Sequence, residues 1–254
     1  LLLFIYLSYS LDLKHNMKNL NGYFCLKNFL GSKNKLKRFK ENLDFKNLFQ
    51  PRRQDLIENN FEFRGNWNSF FKNNNPIVLE LGCGRGEYTT ELAKSEVNKN
   101  YIGIDIKGAR IWRGAKESTQ NNLINVCFIR TQIELIDKIF SENEISEIWI
   151  TFPDPQLKIQ RKKHRLTNFK FLSLYKKILK KGGTINLKTD SEYLHGYTLG
   201  LIEGMGIEPM FSNHDIYSNN NAPIEAIRIK TFYERKFMNT KKITFLKFKL
   251  DLDV

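Results

Sequence analysis

Along the chain, short continuous apolar runs alternate with stretches of helical period, the pattern of strands buried on both faces of a parallel sheet and separated by covering helices. Val78 to Leu81 reads as one such strand, a glycine loop follows to Gly86, a helix covers Glu87 to Ala93, and Tyr101 to Asp105 reads as the next strand. The spacing then predicts a helix from Ala109 to Ser118, a strand from Asn125 to Ile129, a helix from Ile133 to Phe140 and a strand from Ile145 to Phe152. Phe169, Leu172, Tyr175, Ile178 and Leu179 share one face of a helix expected to stop at Gly182-Gly183, with a strand from Thr184 to Lys188 after it. Tyr193 to Met205 predicts a helix ending near Gly206. Ala226 to Phe237 and Ile243 to Leu250 both alternate as strands do and are expected to form a hairpin that closes the sheet. Strict βα alternation implies parallel order through most of that sheet. The aromatics Phe61, Phe63, Trp67, Phe70 and Phe71 are expected to pack on the sheet rather than stack on bases.

A chain of 254 residues accommodates one α/β domain with short additions, and no internal repeat interrupts it. Residues 1–30 are expected to be an extension outside the fold, non-native or disordered, and 31–254 a single domain whose basic arm, Lys33 to Lys40, either solvates or touches RNA. The apolar start Leu1 to Leu7 is too short to span a bilayer and lacks the flanks of a secretory signal. A formal charge of +14 favours a polyanionic partner. Cys25, Cys83 and Cys127 form no metal-type pair, and four scattered histidines add none, so a reduced, cytoplasmic, metal-free protein is expected.

The candidate chemistry starts at Glu80-Leu81-Gly82-Cys83-Gly84-Arg85-Gly86. Gly82 and Gly84 allow a tight turn and close approach of a ligand, and the following helix directs its first amides toward the same place. Asp105, 19 residues beyond Gly86, stands where an acid accepts hydrogen bonds from ribose hydroxyls. A dinucleotide fingerprint would need glycine where Glu87 stands, so the spacing argues against nicotinamide and suits S-adenosylmethionine (SAM), whose cationic side Glu80 would face.

A second constellation, Thr151-Phe152-Pro153-Asp154-Pro155, lies where a strand should end, and ligand groups of open α/β sheets gather there. The two prolines stiffen the turn that carries the acid. Lys158, Arg161, Lys162, Lys163, His164 and Arg165 follow at once, a run able to hold phosphates beside the cofactor cleft.

Together with Thr189-Asp190 and Thr231-Phe232-Tyr233-Glu234, these motifs resemble the bacterial tRNA (guanine-N7-)-methyltransferases from about Lys33 to the end. The resemblance implies a class I SAM-dependent methyltransferase (Rossmann-like) fold: a mostly parallel seven-stranded sheet with a C-terminal antiparallel hairpin. It implies SAM contacts at Glu80, Asp105, Gln132 and Asp154 beside the glycines, and makes Asp154 the active-site residue. It further implies substrate contacts at Lys158, Asp190, Thr231, Phe232, Tyr233 and Glu234, and RNA contacts from Gln160 through Arg161, Lys162, Lys163 and His164 to Arg165. The family usually has Trp where this chain has Gln156, and an acid or Asn followed by Ala at Gln132-Ile133.

The expected activity is methylation of N7 on the variable-loop guanine of tRNA by a monomer or homodimer. N7 carries an in-plane lone pair at neutral pH, so alignment of the reactants is the main task. Two other readings stay open at this level: a SAM methyltransferase acting on another RNA or a small molecule, and a basic RNA-binding module without catalysis.

Overall fold

The computed structural model describes residues 34–218, 222–237 and 239–250. The expectations for residues 1–30 lie outside them. Eight strands form one sheet in the order β1-β4-β3-β2-β5-β6-β8-β7: β1 is Leu48–Phe49, β2 Ile77–Leu81, β3 Asn100–Asp105, β4 Val126–Arg130, β5 Ile145–Thr151, β6 Leu179–Thr189, β7 Phe211–Asn213 and β8 Thr244–Lys249. The first six run parallel to their neighbours, while β8 pairs antiparallel with both β6 and β7. The sheet therefore exceeds the expected seven strands by the two-residue β1, too short for periodicity to reveal.

Both faces are covered, which is why the central strands read as unbroken apolar runs. On one face Leu79, Leu81, Ile102, Ile104, Ile148 and Ile150 pack with Leu172 and Tyr175 of helix Phe169–Ile178 and Leu194 of helix Glu192–Gly204. On the other, Val78, Phe128 and Trp149 meet Tyr88 and Leu92 of helix Glu87–Ser95, and Ile111 and Ala115 of helix Gly108–Gln120. Gly86 must lack a side chain: at φ +71° it lies so close to its neighbours that a Cβ would stand 2.6 Å from the Phe128 ring and 2.9 Å from Gly114 Cα. That contact seats the helix on the sheet directly after the turn. The early aromatics do pack: Trp67 stacks on Phe61 at 5.5 Å and tilts against Phe140 at 5.6 Å.

Several local expectations change. Residues 34–41 are helical and docked rather than a free arm, with the Arg38 guanidinium 4.8 Å above the Trp112 ring and Trp112 Nε1 donating to Glu41 at 2.6 Å. Residues Ile133–Lys138 form a 3-10 helix. Phe169 is exposed and Phe171 takes its place inward, and β6 starts at Leu179, passing through Gly182 at φ +76° as its register with β5 shifts. The expected strand from Ala226 to Phe237 is instead two short helices, Ile224–Arg228 and Phe232–Phe237, and β7 supplies the antiparallel partner of β8. Buried Ala226 and Ile229 are three residues apart, a helical spacing that an alternating reading conceals. Among the described residues no helix is long and apolar enough to cross a membrane, and no three His, Cys, Asp or Glu side chains gather as metal ligands do.

Candidate active site

The carboxyl ends of β2 to β6 open onto one cavity of about 830 Å³. Its wall includes Gly82 after β2, Asp105 ending β3, Thr131 and Gln132 after β4, Phe152 to Pro155 after β5, and Asp190 after β6. Tyr233 and Lys241 close it from the C-terminal segment, and His164 and Leu166 from the end of the basic segment. A smaller cavity of about 270 Å³ adjoins it, lined by Gly82 to Arg85, Arg110, Phe152 and Thr231 to Tyr233.

Local geometry explains how the wall is held. Gly82 turns at φ +77°, and the N–H of Gly84 donates to Asp105 Oδ2 at 2.9 Å while that of Lys107 donates to Oδ1 at 2.7 Å. Asp105 is thus fixed against the glycine turn, with acceptor capacity left toward the cavity. Phe152 occupies the left-handed region at φ +47°, a conformation costly for an aromatic residue. Its N–H donates to Lys188 O at 2.8 Å and its ring lies 5.5 Å from that of Tyr233, so neighbouring elements hold the bend. Two residues on, Asp154 is exposed on the cavity wall and accepts only the Gln156 N–H at 3.0 Å. Ser191 caps helix Glu192–Gly204 by accepting from Leu194 N at 3.2 Å, which releases Asp190 from that duty. Asp190 Oδ2 instead receives the Tyr233 hydroxyl at 3.1 Å and Lys241 Nζ at 2.5 Å.

Two acids of the sequence motifs lie elsewhere. Glu80 is buried beneath the turn, where its oxygens accept from Thr89 N at 2.9 Å, from the Thr89 hydroxyl and from the Thr151 hydroxyl at 2.7 Å. Burial pushes its carboxyl up to about 7, against the pull of those three donors. Glu80 lines neither cavity and braces the start of the helix against β5. Glu234 is fully buried as well, ion-paired with Lys188 at 2.8 Å and accepting from Tyr217 at 2.5 Å and Thr231 N at 3.3 Å. Helix Phe232–Phe237 is therefore anchored from inside by Glu234, and it presents Phe232 and Tyr233 outward.

Gln132 lines the large cavity with its Oε1 engaged by Arg53. Lys158 and the 3-10 helix Ile159–His164 are exposed throughout, so Gln160, Arg161, Lys162, Lys163 and His164 are free to meet a partner. Arg165 departs from that group. It is 4% exposed, donates to Gln156 O at 3.1 and 3.3 Å, and stacks over Tyr193 at 5.0 Å and Tyr197 at 4.5 Å. Its guanidinium pins the Asp154 turn to helix Glu192–Gly204 rather than reaching solvent. Three contributors escaped the sequence reading: Lys188, Lys241 and Arg110. A lysine inside the apolar run Ile185 to Lys188 was a signal of a buried partner, whereas nothing local distinguishes Lys241 from the many other surface lysines.

Comparison with known proteins agrees with this architecture. Residues 74–246 match the family model described as "Putative methyltransferase". The tRNA (guanine-N(7)-)-methyltransferase of Christiangramia forsetii is 60% identical over 223 residues, 87% of this chain and 100% of the relative, and that of Porphyromonas gingivalis is 53% identical over 71% of this chain and 74% of the relative. Among solved structures, a 30S ribosomal A1408 methyltransferase from an uncultured bacterium superposes with a TM-score of 0.54 at 19% identity, covering 73% of this chain and 92% of that one, a likeness of fold.

Proposed function

The chain belongs to the tRNA (guanine-N7-)-methyltransferase family, and from that premise we propose that it transfers a methyl group from SAM to N7 of the variable-loop guanine of tRNA. The observation that carries this reading is the single cavity on which Asp105, Gln132, Asp154, Asp190 and Tyr233 converge from five separate segments.

The residues present fit the cofactor. Gly82 leaves the turn without a side chain at the cavity wall, and Asp105 is held there with acceptor capacity for a ribose. Gln132 offers its amide nitrogen to an adenine edge while Arg53 holds its oxygen. When bound, SAM supplies an electrophilic methyl group. The remaining work falls to this chain's own side chains. Asp190 and Asp154 present carboxylates to the N1–H and N2–H donors of a guanine, leaving N7 free, and they stabilise positive charge that develops on the purine. Tyr233 and Lys241 aim the Asp190 carboxylate. No proton must be removed from N7, so orientation supplies most of the rate. Glu80 and Glu234 take supporting roles, the one under the cofactor turn and the other behind Tyr233. Lys158 and the exposed segment Gln160 to His164 hold the RNA backbone, and Thr231 and Phe232 line the way in. The reading places the enzyme with its substrate, in the cytoplasm.

Asp154→Ala tests it. Methyl transfer to tRNA should fall at least about 100-fold, the cost of removing one preorganised charge-stabilising group, while thermal unfolding stays close to that of the unaltered protein. A variant that remains active refutes the role of Asp154. Transfer to tRNA whose variable-loop guanine has been replaced by adenine refutes the target.

A further inference from the structure

Behind the glycine turn lies a groove of about 600 Å³ formed by helices Glu87–Ser95 and Gly108–Gln120 and the C-terminal helices, and its charges are unevenly engaged. Its acids are occupied: Glu91 and Glu117 both bind Lys94 Nζ, at 2.7 and 2.9 Å, and Glu87 accepts the Phe232 N–H at 2.7 Å. Its arginines are not. Arg113, Arg228 and Arg235 are exposed and, among the described residues, form no ion pair.

The groove is continuous with the active site. Glu87 lines both the groove and the smaller cavity, and Arg110, one turn before Arg113 on the same helix, lines the smaller and the larger cavities. The basic segment from Lys158 to His164 reaches the larger cavity through His164. A polyanion seated over the cavity therefore has cations on the segment after β5 and a second set beyond the glycine turn. Guanidinium forks suit phosphate oxygens in pairs, and walls of charged side chains suit a backbone rather than unstacked bases.

We propose that this groove is a second phosphate-binding surface, on which Arg113, Arg228 and Arg235 hold the tRNA backbone as the target nucleotide occupies the cavity. The proposal rests on the tRNA reading of the site. With the carboxylates tied off by Lys94 and by the Phe232 amide, the groove presents a net positive face at little cost in repulsion.

The test is tRNA affinity as a function of KCl concentration for the variant combining Arg113→Ala, Arg228→Ala and Arg235→Ala. The slope of log K against log salt should fall by about two, and affinity at moderate salt should weaken roughly tenfold. SAM binding by calorimetry and the rate at saturating tRNA should be unchanged. Replacing the same three residues with Lys should restore the slope, because charge is kept. A slope and affinity equal to those of the unaltered protein in the Ala variant, or a Lys variant as defective as the Ala variant, overturns the proposal. Should the triple variant lose SAM binding, the three single variants carry the test, each expected to lower the slope by close to one and each overturning the proposal if it does not. The unaltered enzyme's product is a separate readout: absence of methylated tRNA there defeats the functional reading and leaves the binding measurement to stand or fall by itself.

Discussion

Glu80 and Glu234 differ from Asp154 and Asp190 in what their oxygens have left to offer, although all four stand in short motifs of the same kind. Glu80 and Glu234 are 3% and 0% exposed, and each receives at least three donors from its own chain. Asp154 receives one backbone N–H, and Asp190 two side-chain donors on a single oxygen, both on the wall of the cavity. A buried carboxylate must satisfy its acceptors within the fold, or it costs more than folding can offset. Only an acid with acceptors to spare can bind a ligand. The buried pair accordingly shapes the site, and the cavity pair meets what enters it.

Removing one partner of the buried ion pair should give the largest effect. Glu234→Ala leaves Lys188, already pushed down to about 8 by burial, without its counter-charge, and should lower the unfolding free energy by about 3–5 kcal/mol in urea titrations. Adding Lys188→Met should recover most of that loss. If the double variant folds well and still loses affinity for tRNA as severely as Asp190→Asn, Glu234 belongs with the cavity acids and the division fails.

Glu80 offers a sharper test through pH. Its carboxyl ionises at about 7 in the fold against 4.5 ordinarily, so between those values the folded protein binds more protons than the unfolded chain. Stability contributed by this group is present below pH 4.5 and is lost as pH rises through 7. Relative to Glu80→Gln, the unaltered protein should therefore lose up to about 3 kcal/mol across that window. His195, pushed down to about 4 by burial, slopes the other way below its ordinary value of 6.5, but it is common to both proteins and cancels in the difference. A pH-independent difference would remove Glu80 from the buried class.

Asp190→Asn should have the smallest effect on stability and a measurable one on binding. Loss of a charge-assisted contact worth about 2 kcal/mol predicts a KM for tRNA raised about 30-fold, with the thermal midpoint little changed. Loss of stability comparable to that in Glu234→Ala would show that Asp190 is structural too.

Much of the cavity was legible in the chain because its components are local. The Gly82 turn, Asp105 at its distance, and the proline-flanked Asp154 each depend on neighbours within a few residues, and strand ends carry them to one edge of the sheet. Arg165 was grouped with the basic run on the same local grounds. It belongs to Tyr193, Tyr197 and Gln156 instead, two of them about thirty residues away. The segment after Ala226 misled for a related reason, since its alternation is weak and the burial of Glu234 against Lys188 favours helices there.

By itself, the order of residues determined the parallel α/β layout, the cofactor turn and the acids at strand ends, because hydrophobic period, glycine placement and proline stiffness act over a few peptide units. Tertiary structure alone decided which acids are enclosed, that Lys241 aims Asp190, that Arg165 is an internal brace, and that three unpaired arginines continue the site past Glu87. Those outcomes depend on which distant groups share a volume with a given side chain, since desolvation and donor count, rather than residue type, determine whether a charge is structural or available.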